Sequence, residues 1–290
     1  MNPKPDATQQ HRWVFYRMNC GDMAGQRVKI DAGLFLTLRM DTTTGYKMRY
    51  SRHLALPDFG AAGQEKLAHA RVLIIGLGGL GSPAAIYLAA SGTGTLLLND
   101  FDRVDIANLQ RQILYANADV GALKTQAAAR NLKAQNPECR LELIEARMDP
   151  NQLLETVRNS DVVLDGSDNF GTRYAVNSAC MQAKRPLISG AAIRFEGQVS
   201  VFDTRNPTSP CYACLYPESN ETLENCSSNG ILAPVAGLIG CYMAAEAIKL
   251  ITGTGRPLMG RLLRVDARSG ETWVSRLPRD PECPACRQRP

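Results

Sequence analysis

The stretch Val72-Leu73-Ile74-Ile75-Gly76-Leu77-Gly78-Gly79-Leu80-Gly81, continued by Ser82-Pro83-Ala84-Ala85-Ile86-Tyr87-Leu88-Ala89-Ala90, decides the fold class. An apolar β-branched run, a cluster of glycines and an Ala- and Leu-rich run read as buried strand, tight turn and helix. Glycines let the backbone approach a phosphate, and the helix N-terminus behind them offers unpaired N–H groups and a partial positive charge. A second apolar run, Thr95 to Asn99, ends in Asp100, 24 residues after Gly76. An acidic residue at that distance can hold ribose hydroxyls in a βαβ nucleotide-binding unit.

Outward from this unit the same alternation continues. Asp58 to Ala70 reads as a short amphipathic helix, and helices are expected over Lys124 to Ala134, Pro150 to Asn159 and Arg173 to Ala183. Strands are expected at Leu141 to Ile144, Asp161 to Asp165 and Leu187 to Ser189. Strands alternating with helices imply an α/β fold with a Rossmann-like, doubly wound, mostly parallel sheet. Beyond Arg194 the runs Gln198 to Phe202, Arg261 to Asp266 and Glu271 to Leu277 read as antiparallel strands that continue the sheet. Residues 1–47 share none of this pattern. Met1 to Gln10 is polar, Val28 to Met40 is the one strand-like run, and the segment is expected to be a loosely ordered extension or to precede the functional start.

With 290 residues, 44% hydrophobic and 21% charged, the chain can bury one large α/β core or two modest ones. A formal charge of +5, with basic residues spread along the chain, gives no footprint for nucleic acid. The longest apolar stretch, Ile231 to Thr252, carries Pro234, Glu246 and Lys249, which favours a buried helix starting near Pro234 over a membrane span. No secretory signal is recognisable, so a cytoplasmic location and metal-binding or catalytic cysteines are expected ahead of disulfides.

The glycine turn alone does not separate a dinucleotide from a triphosphate. Asp100-Phe101-Asp102 runs into Asn108-Leu109-Gln110-Arg111-Gln112, Lys124 opens a helix, and Asp168-Asn169 follows the fourth strand. In an open α/β sheet all of these converge on the carboxyl ends of the strands. Asn108, Arg111 and Lys124 supply donors where a triphosphate carries its charge, and Asp168 can hold Mg²⁺. No nicotinamide pocket or hydride-transfer partner is recognisable, so ATP is expected and an NAD-linked oxidoreductase is the weaker alternative. A non-catalytic nucleotide-binding scaffold would have no need of Arg111, Lys124 and Asp168 together.

Cys211-x-x-Cys214 and Cys283-x-x-Cys286 form two pairs that can supply a tetrathiolate zinc site if the fold joins them. Four sulfurs leave no position for a substrate, so the role is structural. Cys180 and Cys241 lie in apolar helices and are expected in the core. Cys226 sits in the polar loop Glu224-Asn225-Cys226-Ser227-Ser228-Asn229-Gly230 and is expected to be accessible.

Together, Gly76-x-Gly78-Gly79-x-Gly81, Asp100-Phe101-Asp102, Asn108-Leu109-x-Arg111-Gln112, Lys124, Asp168-Asn169 and the two CxxC pairs resemble the HesA/MoeB/ThiF family of ubiquitin-activating-enzyme-like adenylyltransferases. Arg49-Tyr50-Ser51-Arg52, Ser189-Gly190-Ala191-Ala192 and Glu196-Gly197-Gln198 add to the resemblance, which spans about Tyr50 to Arg287. It implies one adenylation domain over 48–290, with a nucleotide-binding half over about 48–193 and a carrier-docking and zinc half over about 194–290. It further implies that Gly79, Asp100, Asn108, Leu109, Gln110, Arg111, Lys124, Asp168 and Asn169 bind ATP and its Mg²⁺. Arg52 would reach the ATP of a neighbouring subunit in a homodimer.

The reaction implied is activation of the C-terminal glycine carboxylate of a small ubiquitin-like sulfur carrier ending in Gly-Gly, as acyl-adenylate with release of pyrophosphate. The carrier would be MoaD-like, in molybdopterin biosynthesis, with thiamine-thiazole (ThiS-like) and tRNA-thiolation carriers as alternatives, and a separate sulfurtransferase or cysteine desulfurase would supply sulfur. An α-carboxyl with a pKa of roughly 3.3 to 3.7 is already ionised at neutral pH and needs no general base. That suits a chain whose three histidines, His11, His53 and His69, lie outside these motifs. In sulfur-transferring members a cysteine at the place of Cys226 forms a covalent thioester or acyl-disulfide link with the carrier. Nucleophile and inert loop thiol both stay open for it.

Overall fold

The computed structural model describes residues 42–217 and 230–287. The expected run at Val28 to Met40, Cys20 and Cys226 lie outside them. The expected extension over 1–47 overlaps a helix, α1 (Thr42–Arg49), which is followed by α2 (Ser51–Leu54) and α3 (Gly60–His69).

Eight strands make one sheet. They are β1 (Arg71–Ile75), β2 (Thr95–Asn99), β3 (Arg140–Ile144), β4 (Val162–Asp165), β5 (Leu187–Ile193), β6 (Glu196–Phe202), β7 (Arg261–Asp266) and β8 (Glu271–Arg276), in the spatial order β3-β2-β1-β4-β5-β6-β7-β8. The pairs β3–β2, β2–β1, β1–β4 and β4–β5 are parallel, while β5–β6, β6–β7 and β7–β8 are antiparallel. The Rossmann-like sheet with antiparallel continuation is therefore present. The chain leaves β1 toward β2 and β3 and then returns to β4 on the other side, so the point of reversal lies between β1 and β4. Ligands of open α/β sheets bind above such a point.

β1, β2 and β4 read as unbroken apolar runs because helices cover both faces of the sheet. Val72, Ile74, Leu96, Leu98 and Leu164 point to one face, where they pack with α4 (Gly81–Ala90), α5 (Lys124–Gln135) and α9 (Ala233–Thr252). Leu73, Ile75, Leu97 and Val163 point to the other, toward α6 (Pro150–Arg158) and α7 (Phe170–Ala183). This is the period-two alternation of a strand read out on two separate cores.

Helix starts follow local chemistry. Asp149 caps α6 by accepting from the N–H groups of Asn151 and Gln152, with Pro150 pre-set at the first helical position. Asn169 caps α7 through Thr172 N–H, so that helix begins three residues before the expected Arg173. The helix expected near Pro234 is α9. Its length and composition would suit a membrane, but it packs on β5, β6 and α4, and its buried Glu246 pairs with Lys249 and accepts from Leu258 N–H. Cys180 on α7 is buried as expected, whereas Cys241 on α9 is only part-buried.

Candidate functional site

A cavity of about 450 Å³ opens at the carboxyl ends of β1, β2 and β4. Its floor is the glycine turn. Gly76 has φ +81°, a left-handed backbone that an L side chain rarely adopts, and its N–H donates to Asn99 O at 2.9 Å. The turn is fixed from beneath. Leu77 O accepts from Ser82 Oγ (2.9 Å) and from the buried Tyr115 hydroxyl (3.0 Å). Burial, with Asp100 adding to it, pushes the Tyr115 hydroxyl well above its ordinary range, so it stays a donor.

Asp100, the expected ribose ligand, lines the cavity and also holds the turn. Its Oδ2 accepts from Leu77 N–H at 2.7 Å and its Oδ1 from Asp102 N–H at 2.9 Å. Burial raises its pKa, against the opposing pull of Lys124 and these two N–H groups. Lys124, at the start of α5, is itself buried on the cavity wall. Its Nζ donates to Asp102 Oδ2 at 2.9 Å and lies 3.9 Å from Asp100 Oδ2. The site thus contains a desolvated cation between two carboxylates.

Arg111 also lines the cavity, with Nη1 donating to Ala107 O at 3.2 Å and its stem lying over Gly79. Gln110 also lines it. Asn108 and Leu109 do not: the Asn108 carbonyl accepts from Arg111 N–H and Gln112 N–H, and Leu109 packs against the core. They belong to the short helical turn that precedes Arg111. Asp168 and Asn169, after β4, are exposed residues of the cavity lining, with the Asn169 amide oxygen committed to capping α7. Arg52 is exposed on α2 and outside the lining.

Several residues of the lining escaped the sequence reading. Arg147 stands 5.1 Å over the Phe101 ring, a cation–π pair beside Asp100. Gln112 is buried with its Oε1 lacking a hydrogen-bond partner. Arg173 is buried and donates from Nε and Nη2 to Ser167 O at 3.1 and 2.6 Å. Phe101 and Gln112 sit inside motifs already singled out. Arg147 and Arg173 carry only their positions after β3 and after β4 as a signal.

A second centre lies apart from the cavity lining. Cys211, Cys214 beside it on α8 (Tyr212–Leu215), Cys283 and Cys286 bring their Sγ atoms within 4.8 Å of one another. The pairs Cys211–Cys214, Cys211–Cys283 and Cys214–Cys286 are 3.9, 3.7 and 3.5 Å apart. Zinc–sulfur bonds of about 2.3 Å in a tetrahedron place neighbouring sulfurs about 3.8 Å apart, so four thiolates in this arrangement fit Zn²⁺. The hydrogen bond from the Cys211 thiol and others from backbone N–H groups pull the Cys214 thiol down, while the same hydrogen bond and burial push Cys211 up and burial pushes Cys286 up.

The ThiF family model matches residues 50–285. The SAMP-activating enzyme E1 of Haloferax volcanii is 43% identical over 253 residues, covering 87% of this chain and 92% of that protein. The probable adenylyltransferase/sulfurtransferase MoeZ of Mycobacterium tuberculosis is 45% identical over 240 residues, covering 81% of this chain and 61% of that one. For the adenylyltransferase and sulfurtransferase MOCS3 of Sus scrofa the values are 45% over 246 residues, 84% and 54%. The chain thus spans between half and two thirds of the MoeZ and MOCS3 relatives, and nearly all of the archaeal one. Among solved structures, E. coli MccB with ATP superposes with a TM-score of 0.71 at 27% identity, covering 82% of this chain and 73% of that one. Glycine turn, acidic strand end and paired thiols occur together in one chain that the family model follows from Tyr50 onward, and the chain belongs to the ThiF family.

Proposed function

We propose that this protein activates the C-terminal glycine carboxylate of a small ubiquitin-like sulfur carrier ending in Gly-Gly, by forming an acyl-adenylate from ATP. The observation that carries this reading is the meeting of the glycine turn, Arg111, Lys124 and Asp168 on a single cavity above the β1–β4 crevice. The names of the H. volcanii, MoeZ and MOCS3 relatives and the ATP in the MccB structure support it.

In the reaction a carboxylate oxygen of the carrier forms a bond to the α-phosphorus, and the bond from that phosphorus to the bridging oxygen breaks. Pyrophosphate leaves with the electron pair. The carboxylate is already the anion, so the chain has no proton to remove, and its work is alignment and charge neutralisation. Gly78 and Gly79 present backbone to the nucleotide, and Arg111 and Lys124 face the phosphates. Lys124 brings its charge at low cost because Asp100 and Asp102 already hold it desolvated on the wall. Asp168 would hold Mg²⁺, which neutralises phosphate charge when bound and suits an exposed carboxylate oxygen. Asn108 acts through the turn behind Arg111, and Asn169 by orienting α7 next to Asp168.

The finer parts of the reading extend the same chemistry. Arg52 completes the site of the other subunit in a homodimer, where its planar fork suits a phosphate. Cys226 is the candidate acceptor for a thioester or acyl-disulfide once the carrier is adenylated. A MoaD-like carrier of molybdopterin biosynthesis is the first to try, then ThiS-like and tRNA-thiolation carriers, in a cytoplasmic setting. The test is ATP–pyrophosphate exchange. It should require a carrier with an intact Gly-Gly end and vanish in Asp168→Ala; exchange at near wild-type rate in that variant rules out the metal role. Cys226→Ala should keep exchange, and a collapse there assigns Cys226 to adenylation or folding instead of transfer.

A further inference from the structure

The cavity and the tetracysteine centre are joined by a short run of buried polar contacts. Tyr212 is the residue between Cys211 and Ala213 in the first CxxC turn, and it is 1% exposed. Its backbone N–H donates to Asn177 Oδ1 at 2.9 Å, and its hydroxyl accepts from Arg173 Nη1 at 3.4 Å. Arg173 and Asn177 are one turn apart on α7 and both buried. The same Arg173 guanidinium donates twice to Ser167 O, and Ser167 is the residue before Asp168. Rings fix the middle of this run, with Tyr212 packed edge-on to Phe202 and Tyr174 at 6.0 and 5.7 Å.

A bland account makes Arg173 the countercharge of the fully buried Asp165, whose Oδ1 accepts from Ser167 N–H and Oγ. That account explains a cation here but not its shape. A lysine would serve Asp165 as well, whereas the planar fork fits two donors to one carbonyl and a third to a phenol. Burying a guanidinium is costly, and a group held so firmly fixes what it touches. What it touches on one side is the loop that carries Asp168, and on the other the turn that carries two thiolates.

We propose that Arg173 is a positioning residue that ties the tetracysteine centre to the Ser167–Asp168 loop, so that a metal on the four thiolates and a Mg–nucleotide in the cavity favour each other's binding. This rests on the adenylation reading above. Metal on Cys211 and Cys214 holds the Tyr212 turn, Tyr212 holds Arg173, and Arg173 holds the carbonyl next to Asp168. Linkage makes the effect reciprocal: whatever factor metal adds to nucleotide affinity, nucleotide adds to metal affinity.

Reciprocity permits a test on the intact, zinc-loaded protein. Zinc retention is measured by competition with a colorimetric chelator, with and without Mg²⁺ and a non-hydrolysable ATP analogue, and binding of the analogue is measured in parallel by calorimetry. In the wild type the analogue should tighten zinc retention by about fivefold or more. Arg173→Lys keeps the charge beside Asp165 but loses the fork; it should bind zinc and show no such tightening. Tyr212→Phe keeps the ring and removes only the hydroxyl; it should reduce the factor, and it decides the matter if Arg173→Lys does not fold. Analogue binding with zinc retention changed less than twofold overturns the coupling. So does an undiminished factor in both variants. Failure of the analogue to bind at all overturns the adenylation reading and this inference with it.

Discussion

Replacing Gly81 with alanine tests how tightly the glycine turn is seated. A Cβ added there would lie 1.9 Å from the Gly76 carbonyl oxygen and 2.9 Å from its carbon. That is roughly 1.4 Å inside a C···O contact of about 3.3 Å. Both offending atoms are backbone, so no rotamer change relieves the clash. Either the turn lifts away from β1 or the first turn of α4 retreats. Retreat is blocked by α9, where a Cβ on Gly240 would already meet Leu80 O at 2.4 Å. Overpacking costs about 1–3 kcal/mol, and a rigid backbone on both sides puts this case near 3. For a folded unit of this size that lowers Tm by about 6–12 °C. Displacing Gly78 and Gly79 should also weaken nucleotide binding at least tenfold. Chemical denaturation gives the first quantity and calorimetric titration with a non-hydrolysable ATP analogue the second. Gly237→Ala is the matched control, since an added Cβ there meets nothing within 4 Å and the position is inside α9. It should gain about 0.5–1 kcal/mol from helix propensity. A Gly81→Ala protein within 0.5 kcal/mol of wild type and with unchanged affinity would refute the close seating of turn on helix.

Cys214→Ser should lose the metal and several degrees of Tm, read by metal analysis and calorimetry; a metal-free preparation of the wild type with unchanged melting refutes a structural zinc. Asp119, whose burial is outweighed by hydrogen bonds from Ala116 N–H, Arg130 and Asn131, has a lowered pKa. Its stabilisation is therefore present above the unfolded carboxyl pKa of about 3.9 and lost as pH falls through the lower folded value. Asp119→Asn should be less stable than wild type at pH 7 by about 2 kcal/mol, with the gap closing below about pH 4; a gap independent of pH denies the carboxylate its part. Mixing Arg52→Ala with Asp168→Ala, each inactive alone, should restore about half the pyrophosphate exchange per mixed dimer if Arg52 serves the other subunit. A mixture that stays inactive after subunit exchange assigns Arg52 to its own chain.

The sequence was legible wherever a residue's role depends on its neighbours in the chain. β1, β2 and β4 were read to within a residue because burial on both faces leaves polar side chains only at their ends. The Asp149-Pro150 start of α6 announced itself for the same local reason. β5 was read too short, as Leu187 to Ser189, because Gly190-Ala191-Ala192 has no strand propensity. Its reason is distant: a Cβ on Gly190 would meet Met243 Sδ at 2.5 Å, so the small residues admit α9 while β6 supplies the pairing.

The same division runs through the site. Gly76, Asp100, Lys124 and Asp168 were visible because each stands just past a strand end or at a helix start, and Arg111 because it lies in the loop that follows β2, where a nucleotide must lie. What the sequence could not tell is which of them are held and by what. Both oxygens of Asp100 accept from backbone N–H groups, and Lys124 reaches the wall already neutralised by Asp102, a residue passed over as part of a motif. Arg173 looks in the sequence like any polar residue in the first turn of a helix. Its partners, Ser167 and Tyr212, lie 6 and 39 residues away, and only folding makes them neighbours. A motif names the groups that meet a ligand. The groups that keep them in place are scattered through the chain, and in this fold they lead from the nucleotide cavity to the four thiols.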